Sequence, residues 1–110
     1  MSGSAYQRGR QLLKEGELAD AIWAFMDELQ ENPDEPAGYF ALMEAYQLSY
    51  TVFPDPQLLQ QVKNVLVGAR DQDLDEEQER LADAIERGID AEIEARALQE
   101  GQERHEGHEG

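Results

Sequence analysis

The sequence predicts an all-α fold in which antiparallel helical hairpins are followed by a long C-terminal helix. Apolar residues recur at steps of three and four, as they do along one face of a helix. Gly and Pro stand between these stretches, where they end one helix and begin the next. The chain has 110 residues, 40% of them hydrophobic, which suffices for the core of one domain.

The first predicted hairpin begins with a helix from Ser4 to about Glu15. Gly16 can take the backbone angles that end this helix. The second helix ends at Asn32, because Pro33 disfavours helical geometry in the residue before it. The apolar stripe of this second helix consists of Leu18, Ala21, Ile22, Phe25, Met26 and Leu29.

The third helix follows after a short turn, so it should run antiparallel to the second. Either Asp34 or Glu35 can cap it, and Pro36 suits a first-turn position because its missing amide donor costs little there. The predicted buried side of this helix consists of Tyr39, Phe40, Leu42, Met43 and Tyr46.

These two hairpins resemble tetratricopeptide repeats, whose period is about 34 residues. The first unit matches the family skeleton at Ala5, Gly9, Leu12, Ala21, Phe25 and Pro33, and the second at Tyr39, Leu42 and Tyr46. Arg8 and Met43 depart from the family, which has an apolar and a small residue at these places. The resemblance covers roughly residues 4–70 and implies about two repeats.

The resemblance also implies a binding groove, since the first helices of successive repeats line the concave surface of tetratricopeptide domains. The corresponding residues here are Tyr6, Arg10, Leu13, Lys14, Ala37, Phe40, Glu44 and Gln47. Aromatic side chains would anchor a peptide or helix of a partner protein, and the cations would orient it. Binding of a chaperone tail is not expected, because Ala41 and Glu44 stand where the carboxylate clamp of such members needs polar or cationic groups.

The segment 48–56, LSYTVFPDP, is predicted to connect the third and fourth helices. It is too apolar for an ordinary loop, so it is either buried beneath the hairpins, which is favoured, or an exposed patch that docks another subunit. The fourth helix begins at Asp55 and Pro56 and ends near Arg70. Its predicted apolar face consists of Leu58, Leu59, Val62, Val65, Leu66 and Ala69.

An acidic connector over residues 71–75 precedes a long last helix, which Asp73 or Asp75 can cap and which should end near Gln99. Its isoleucines recur every four residues, whereas a coiled coil alternates steps of three and four, so the pattern disfavours a long coiled coil. The first half is predicted to pack on the preceding hairpin, and the second half, from about Asp90, to project towards another chain. The candidate oligomer contacts are Tyr50, Phe53, Ile89 and Ile93.

Residues 100–110 contain no apolar side chain and are predicted to be a disordered acidic tail behind a single domain of residues 1–99. The tail carries His105 and His108, but two histidines on a mobile segment make a weak metal site because binding must order them. No cofactor or structural metal is therefore expected.

The formal net charge is -16, and the overall field disfavours direct binding to nucleic-acid phosphates. Residues 1–70 contain five Lys and Arg against ten Asp and Glu, and residues 71–110 contain four against fifteen, so the second part is much more acidic. With no cysteine and no long apolar run, the sequence favours a cytoplasmic protein without a membrane anchor. Catalysis is not expected, because the folded part offers no His to activate a Ser and no phosphate-binding glycine loop.

Three functions are compatible with these patterns. The leading hypothesis is a non-catalytic adaptor, scaffold or chaperone-like module that binds a peptide or helix of a partner protein. The acidic charge serves either solubility in salt, which is favoured, or recognition of a basic partner. The second is a structural subunit that assembles with its own copies and binds no peptide. The third is an acidic decoy that occupies a basic protein surface.

Overall fold

A computed structural model describes the backbone of residues 4–109 and the side chains of residues 4–100. In this range the chain forms five α-helices and no strand: α1 (Ser4–Lys14), α2 (Leu18–Glu31), α3 (Pro36–Val52), α4 (Pro56–Arg70) and α5 (Glu76–Glu109). Each helix packs on the next along the chain, and α1 also touches α3. The predicted all-α class is confirmed, and the packing of consecutive helices agrees with the predicted hairpins.

As predicted, α1 ends just before Gly16, which lies in the turn to α2. Gly16 adopts a positive φ of 80°, which a residue with a side chain rarely takes. The amide of Glu17 donates to the Leu12 carbonyl at 2.9 Å, and the amide of Gly16 donates to the Leu13 carbonyl at 3.1 Å. These paired bonds satisfy carbonyls at the end of α1 and let the chain reverse into α2.

Two of the predicted caps are confirmed by their hydrogen bonds. Before α4, Asp55 Oδ1 accepts from the amide of Gln57 at 2.9 Å. Before α5, Asp75 Oδ1 accepts from the amide of Gln78 at 2.8 Å, while the Gln78 side chain accepts from the amide of Asp75 at 3.0 Å. This reciprocal capping box fixes where α5 begins. At α3, Glu35 holds the cap position but makes no side-chain cap bond.

The prediction that residues 48–56 form a connector is wrong for the first half of that segment. α3 continues through Val52 and ends only at Phe53, whose backbone is extended at φ -128° and ψ 95° because Pro54 follows it. Neither predicted placement describes the whole segment. Tyr50 is half-buried against the core, whereas Val52 is 58% and Phe53 is 73% exposed.

The core lies where α2, α3 and α4 meet, and its largest fully buried side chains are Phe25, Met43 and Val62. α1 approaches this core closely at Gly9, where an added Cβ would lie 2.4 Å from Cε1 of Phe25. The predicted stripe of α2 is confirmed except at its edge, because Met26 is 36% exposed.

α5 packs on α4 through Ala82 and Ile89, which are buried. Packing continues past the point where projection was predicted, since Lys63 Nζ lies 3.3 Å from Asp90 Oδ1 and the Tyr50 hydroxyl donates to Glu92 at 2.6 Å. The prediction that α5 projects from Asp90 is therefore wrong.

The helix also continues through Glu109, beyond the predicted end near Gln99. Residues 100–109 contain no proline and are rich in Glu, Gln and Arg, which favour helix, and each glycine costs only about 1 kcal/mol. No helix in the described part of the chain combines the length and the apolar character needed to cross a bilayer.

Candidate functional site

A groove of about 440 Å³ lies between α1, α3 and α5. Its lining residues are Tyr6, Arg10, Ala37, Phe40, Ala41, Glu44, Gln47, Gln78, Leu81 and Ile85. The first, third and fifth helices supply all of these residues, and α2 and α4 supply none. We call this surface the groove.

Most of the groove residues predicted from the sequence come together there. Tyr6 and Arg10 of α1 and Ala37, Phe40, Glu44 and Gln47 of α3 all line the groove. Two predicted residues do not line it: Leu13 is half-buried against the core, and Lys14 is exposed at the end of α1. Whether these residues bind a partner stays a prediction.

The wall supplied by α5 was not predicted as part of the groove. Gln78, Leu81 and Ile85 lie on it, and their sequence pattern indicates only that the two apolar residues pack on the preceding hairpin. The fifth helix starts forty residues after the third, so it falls outside the repeat period of about 34 residues. The one available signal was that Leu81 and Ile85 continue an apolar stripe at the start of a capped helix.

The floor of the groove is aromatic and is supported from below. Tyr6 and Phe40 are each half-buried against the core. The ring of Tyr6 lies 5.9 Å from the ring of Phe25, at an interplanar angle of 52°. Because Phe25 is fully buried, this contact restrains the Tyr6 ring.

One ion pair crosses the groove from α1 to α3. Arg10 Nη1 donates to Glu44 Oε1 at 2.8 Å, and both side chains remain more than 40% exposed. The hydrogen bond with Glu44 raises the pKa of Arg10 further, so its guanidinium stays charged. The two charges offset each other, and the other lining residues are apolar or uncharged. An exposed pair of this kind contributes at most about 1 kcal/mol, so a ligand can replace either member at little cost.

A second feature joins α3 to α5 beside the groove. The Tyr50 hydroxyl donates to Glu92 Oε2 at 2.6 Å and accepts from Arg96 Nη1 at 3.2 Å. The guanidinium carbon of Arg96 lies 6.0 Å from the centre of the Tyr50 ring, within range of a cation–π contact. The hydrogen bond to Glu92 raises the pKa of Tyr50. We call Tyr50, Glu92 and Arg96 the tyrosine cluster.

The four candidate oligomer contacts are divided by this packing. Tyr50 and Ile89 are used within the chain, because one belongs to the tyrosine cluster and the other is only 4% exposed. Phe53 is 73% exposed and Ile93 is 37% exposed, so these two remain on the surface. Whether any of the four residues contacts a second chain stays a prediction.

Among the side chains of residues 4–100, no group of three or more His, Cys, Asp or Glu converges to hold a metal ion. His105 and His108 lie outside the part whose side chains are described.

Three comparisons with known proteins give no relative from which a function could be transferred. No family model matches the sequence, and no curated protein and no solved structure matches it.

Proposed function

We propose that this chain is a non-catalytic protein–protein interaction module, acting as an adaptor, scaffold or chaperone-like protein, whose groove binds a peptide or helix of a partner protein. The observation that carries the proposal is the meeting of residues from α1, α3 and α5 around one groove with an aromatic floor. The resemblance to tetratricopeptide repeats supports it, because α1 and α3, which line the groove, are the first helices of two successive hairpins.

The lining indicates the kind of segment that fits. A volume of about 440 Å³ is within the range of ligand pockets and accommodates a few side chains at a time. Tyr6, Phe40 and Leu81 offer apolar contact, so the partner segment should present apolar side chains on one face, as an amphipathic helix does at steps of three and four. The net charge of -16 favours a segment flanked by basic residues and disfavours nucleic acid.

The proposal is tested by filling the groove. Ala37 is exposed and lines it, so Ala37→Trp should block it without removing a buried contact. Peptides would be selected from a random display library on the full chain, and the dissociation constants of the selected peptides would then be measured by calorimetric titration. We expect Ala37→Trp to weaken binding by roughly tenfold or more, equivalent to about 1.4 kcal/mol.

The matched control is Ala19→Trp, the same substitution at an exposed position of α2 that does not line the groove. It should leave the dissociation constant unchanged, and both variants should keep the helical circular dichroism spectrum. If Ala37→Trp and the second variant Phe40→Ala bind as tightly as the native chain, the groove is not the binding site. Binding that survives both variants and declines steeply with salt would instead support the acidic-decoy hypothesis.

A further inference from the structure

The open face of α5 carries a second apolar pattern, separate from the isoleucines that pack against α4. Six residues follow one another at steps of three, four, three, four and three: Leu81, Ala84, Gly88, Ala91, Ala95 and Leu98. All six are exposed, including the two leucines, at 48% and 65%. We call this line of residues the seam.

Alternating steps of three and four are the spacing by which two helices stay in contact along a shared supercoil. The isoleucine spacing of four on the packed face argues against a coiled coil, but the seam lies on another face of the same helix. It covers about 26 Å of helix at 1.5 Å per residue. One turn beyond each end of the seam the residue is polar: Glu77 before Leu81 and Gln102 after Leu98. The apolar pattern therefore ends at the two leucines.

The order of residues along the seam is self-complementary when a second copy runs in the opposite direction. Leu81 then meets Leu98 of the second copy, Ala84 meets Ala95, and Gly88 meets Ala91. A two-fold axis passes between Gly88 and Ala91, and all six residues find a partner. A two-fold interface requires this property, because each contact occurs twice with the roles exchanged.

Charge on the flank of the seam favours the same arrangement. Arg87 and Glu94 both lie beside the seam on one side of the helix, on either side of the proposed axis. The two-fold rotation brings Arg87 of one copy next to Glu94 of the other, and this pair of opposite charges forms twice.

The small residues at the centre of the seam allow a second helix to approach closely. Gly88 has open space around it in the single chain, because a Cβ added there meets no atom within 4 Å. With Gly and Ala at the centre, two helices can approach towards the lower end of the usual range of about 8–10 Å between axes. The leucines at both ends would then cover the contact.

We propose that α5 binds the α5 of a second copy of this chain as an antiparallel coiled coil along the seam. The proposal goes beyond the groove function, since of the six seam residues only Leu81 also lines the groove. A net charge of -16 on each copy opposes association, and this repulsion is screened over about 8 Å at physiological ionic strength. Association should therefore strengthen as salt is raised.

The first test is sedimentation of the full chain over a range of concentration and salt. The native chain should shift with concentration from 12.5 kDa to twice that mass. Ala91→Glu places charges beside the two-fold axis and should hold the chain at the monomer mass. The control Ala97→Glu makes the same change at an exposed position of α5 outside the seam, and it should leave the dimer intact.

The second test establishes direction, and it is clean because the chain contains no cysteine. A mixture of the Ala84→Cys and Ala95→Cys chains should form a disulfide-linked heterodimer, while neither variant alone should cross-link efficiently. Efficient cross-linking of each variant with itself would overturn the antiparallel arrangement. A native chain that stays monomeric in every condition, or an Ala91→Glu chain that still dimerises, would overturn the seam itself. Because Ala37→Trp tests the groove separately, a failure of the seam would leave the proposed function standing.

Discussion

Glu28 is a charged side chain in an apolar position. It is 5% exposed on the face of α2 that meets α3, and its Cγ would lie 3.2 Å from a Cβ added at Gly38. One carboxylate oxygen accepts from Asn32 Nδ2 at 3.2 Å, whereas Oε1 is buried without a hydrogen-bond partner. A buried carboxylate with one oxygen outside any protein hydrogen bond costs free energy, so we expect this residue to lower the stability of the fold.

Replacing Glu28 with methionine should therefore stabilise the protein. Glu28→Met keeps a side chain of similar length and removes the unpartnered oxygen, so we expect the free energy of unfolding to rise by about 1–3 kcal/mol. Urea denaturation measures this change. Glu31→Met, at an exposed position of the same helix, is the control and should stay within about 0.5 kcal/mol of the native chain. A loss of stability in Glu28→Met would show that the bond with Asn32 outweighs the desolvation of the carboxylate.

Gly9 shows the opposite case, in which a missing side chain is needed. A Cβ at this position would lie 2.4–2.8 Å from three atoms of the Phe25 ring, which is fully buried and cannot move aside freely. Gly9→Ala should lower the free energy of unfolding, because overpacking of about 1–3 kcal/mol exceeds a helix-propensity gain of about 1 kcal/mol. Thermal unfolding of a dilute, monomeric sample checks this. Gly88→Ala, in open space, should instead stabilise α5 by up to about 1 kcal/mol.

At the scale of the helices, the tyrosine cluster is a polar connection between the end of α3 and the middle of α5. Tyr50 and Glu92 are 42 residues apart in the sequence, so nothing local predicts their hydrogen bond. The sequence identified Tyr50 as an apolar element of a connector. The extra turns of α3, which carry it to α5, were not predicted because Val52 and Phe53 have lower helix propensity and two prolines follow.

The hydrogen bond between Tyr50 and Glu92 should make the free energy of unfolding fall at alkaline pH. The hydrogen bond to Glu92 raises the pKa of Tyr50 in the folded chain, and burial raises that of Tyr46. A raised pKa in the folded state means that the contribution is complete below the ordinary tyrosine pKa of about 10 and is lost as pH rises through the folded value. Urea denaturation from about pH 8 to about pH 11 should therefore show a falling free energy of unfolding.

The variant Tyr50→Phe isolates this effect. It lacks the titrating hydroxyl, so its free energy of unfolding should be lower than that of the native chain at about pH 8 and should fall less steeply above about pH 10. Parallel pH profiles for the two chains would contradict the role given to the hydroxyl. Phenolate absorbance during an alkaline titration gives an independent record of the tyrosines that titrate late.

For the whole molecule, the features that sequence predicts well are those set by neighbouring residues. The glycine end at Gly16, the helix start at Asp55, a cap at Asp73 or Asp75 and most of the apolar face of α2 each depend on a few adjacent positions, and these were predicted. The groove lining from α1 and α3 was also anticipated, since a repeat period relates the two helices.

The sequence could not predict which neighbouring helix covers each apolar face of a long helix. α5 has three apolar features, one against α4, one in the groove and one exposed. Periodicity reveals that such stripes exist, but it does not indicate that Ile89 is covered by α4 while Leu81 forms a wall beside Phe40. The placement follows from the offset and tilt of whole helices, which are decided by packing over the full domain.

The way α5 is attached has a consequence for the order in which the protein opens. By backbone proximity α5 adjoins α4 alone in the described part, whereas α2 and α3 each have two or more neighbours. Segments with few buried contacts open at a lower free energy than the core and do so as a unit. The amide hydrogens of α5 should thus exchange with solvent through partial opening, whereas those of α3 should exchange only through global unfolding. During each opening the groove loses one wall, so binding of a ligand in the groove, as proposed, would be coupled to the closing of this last helix.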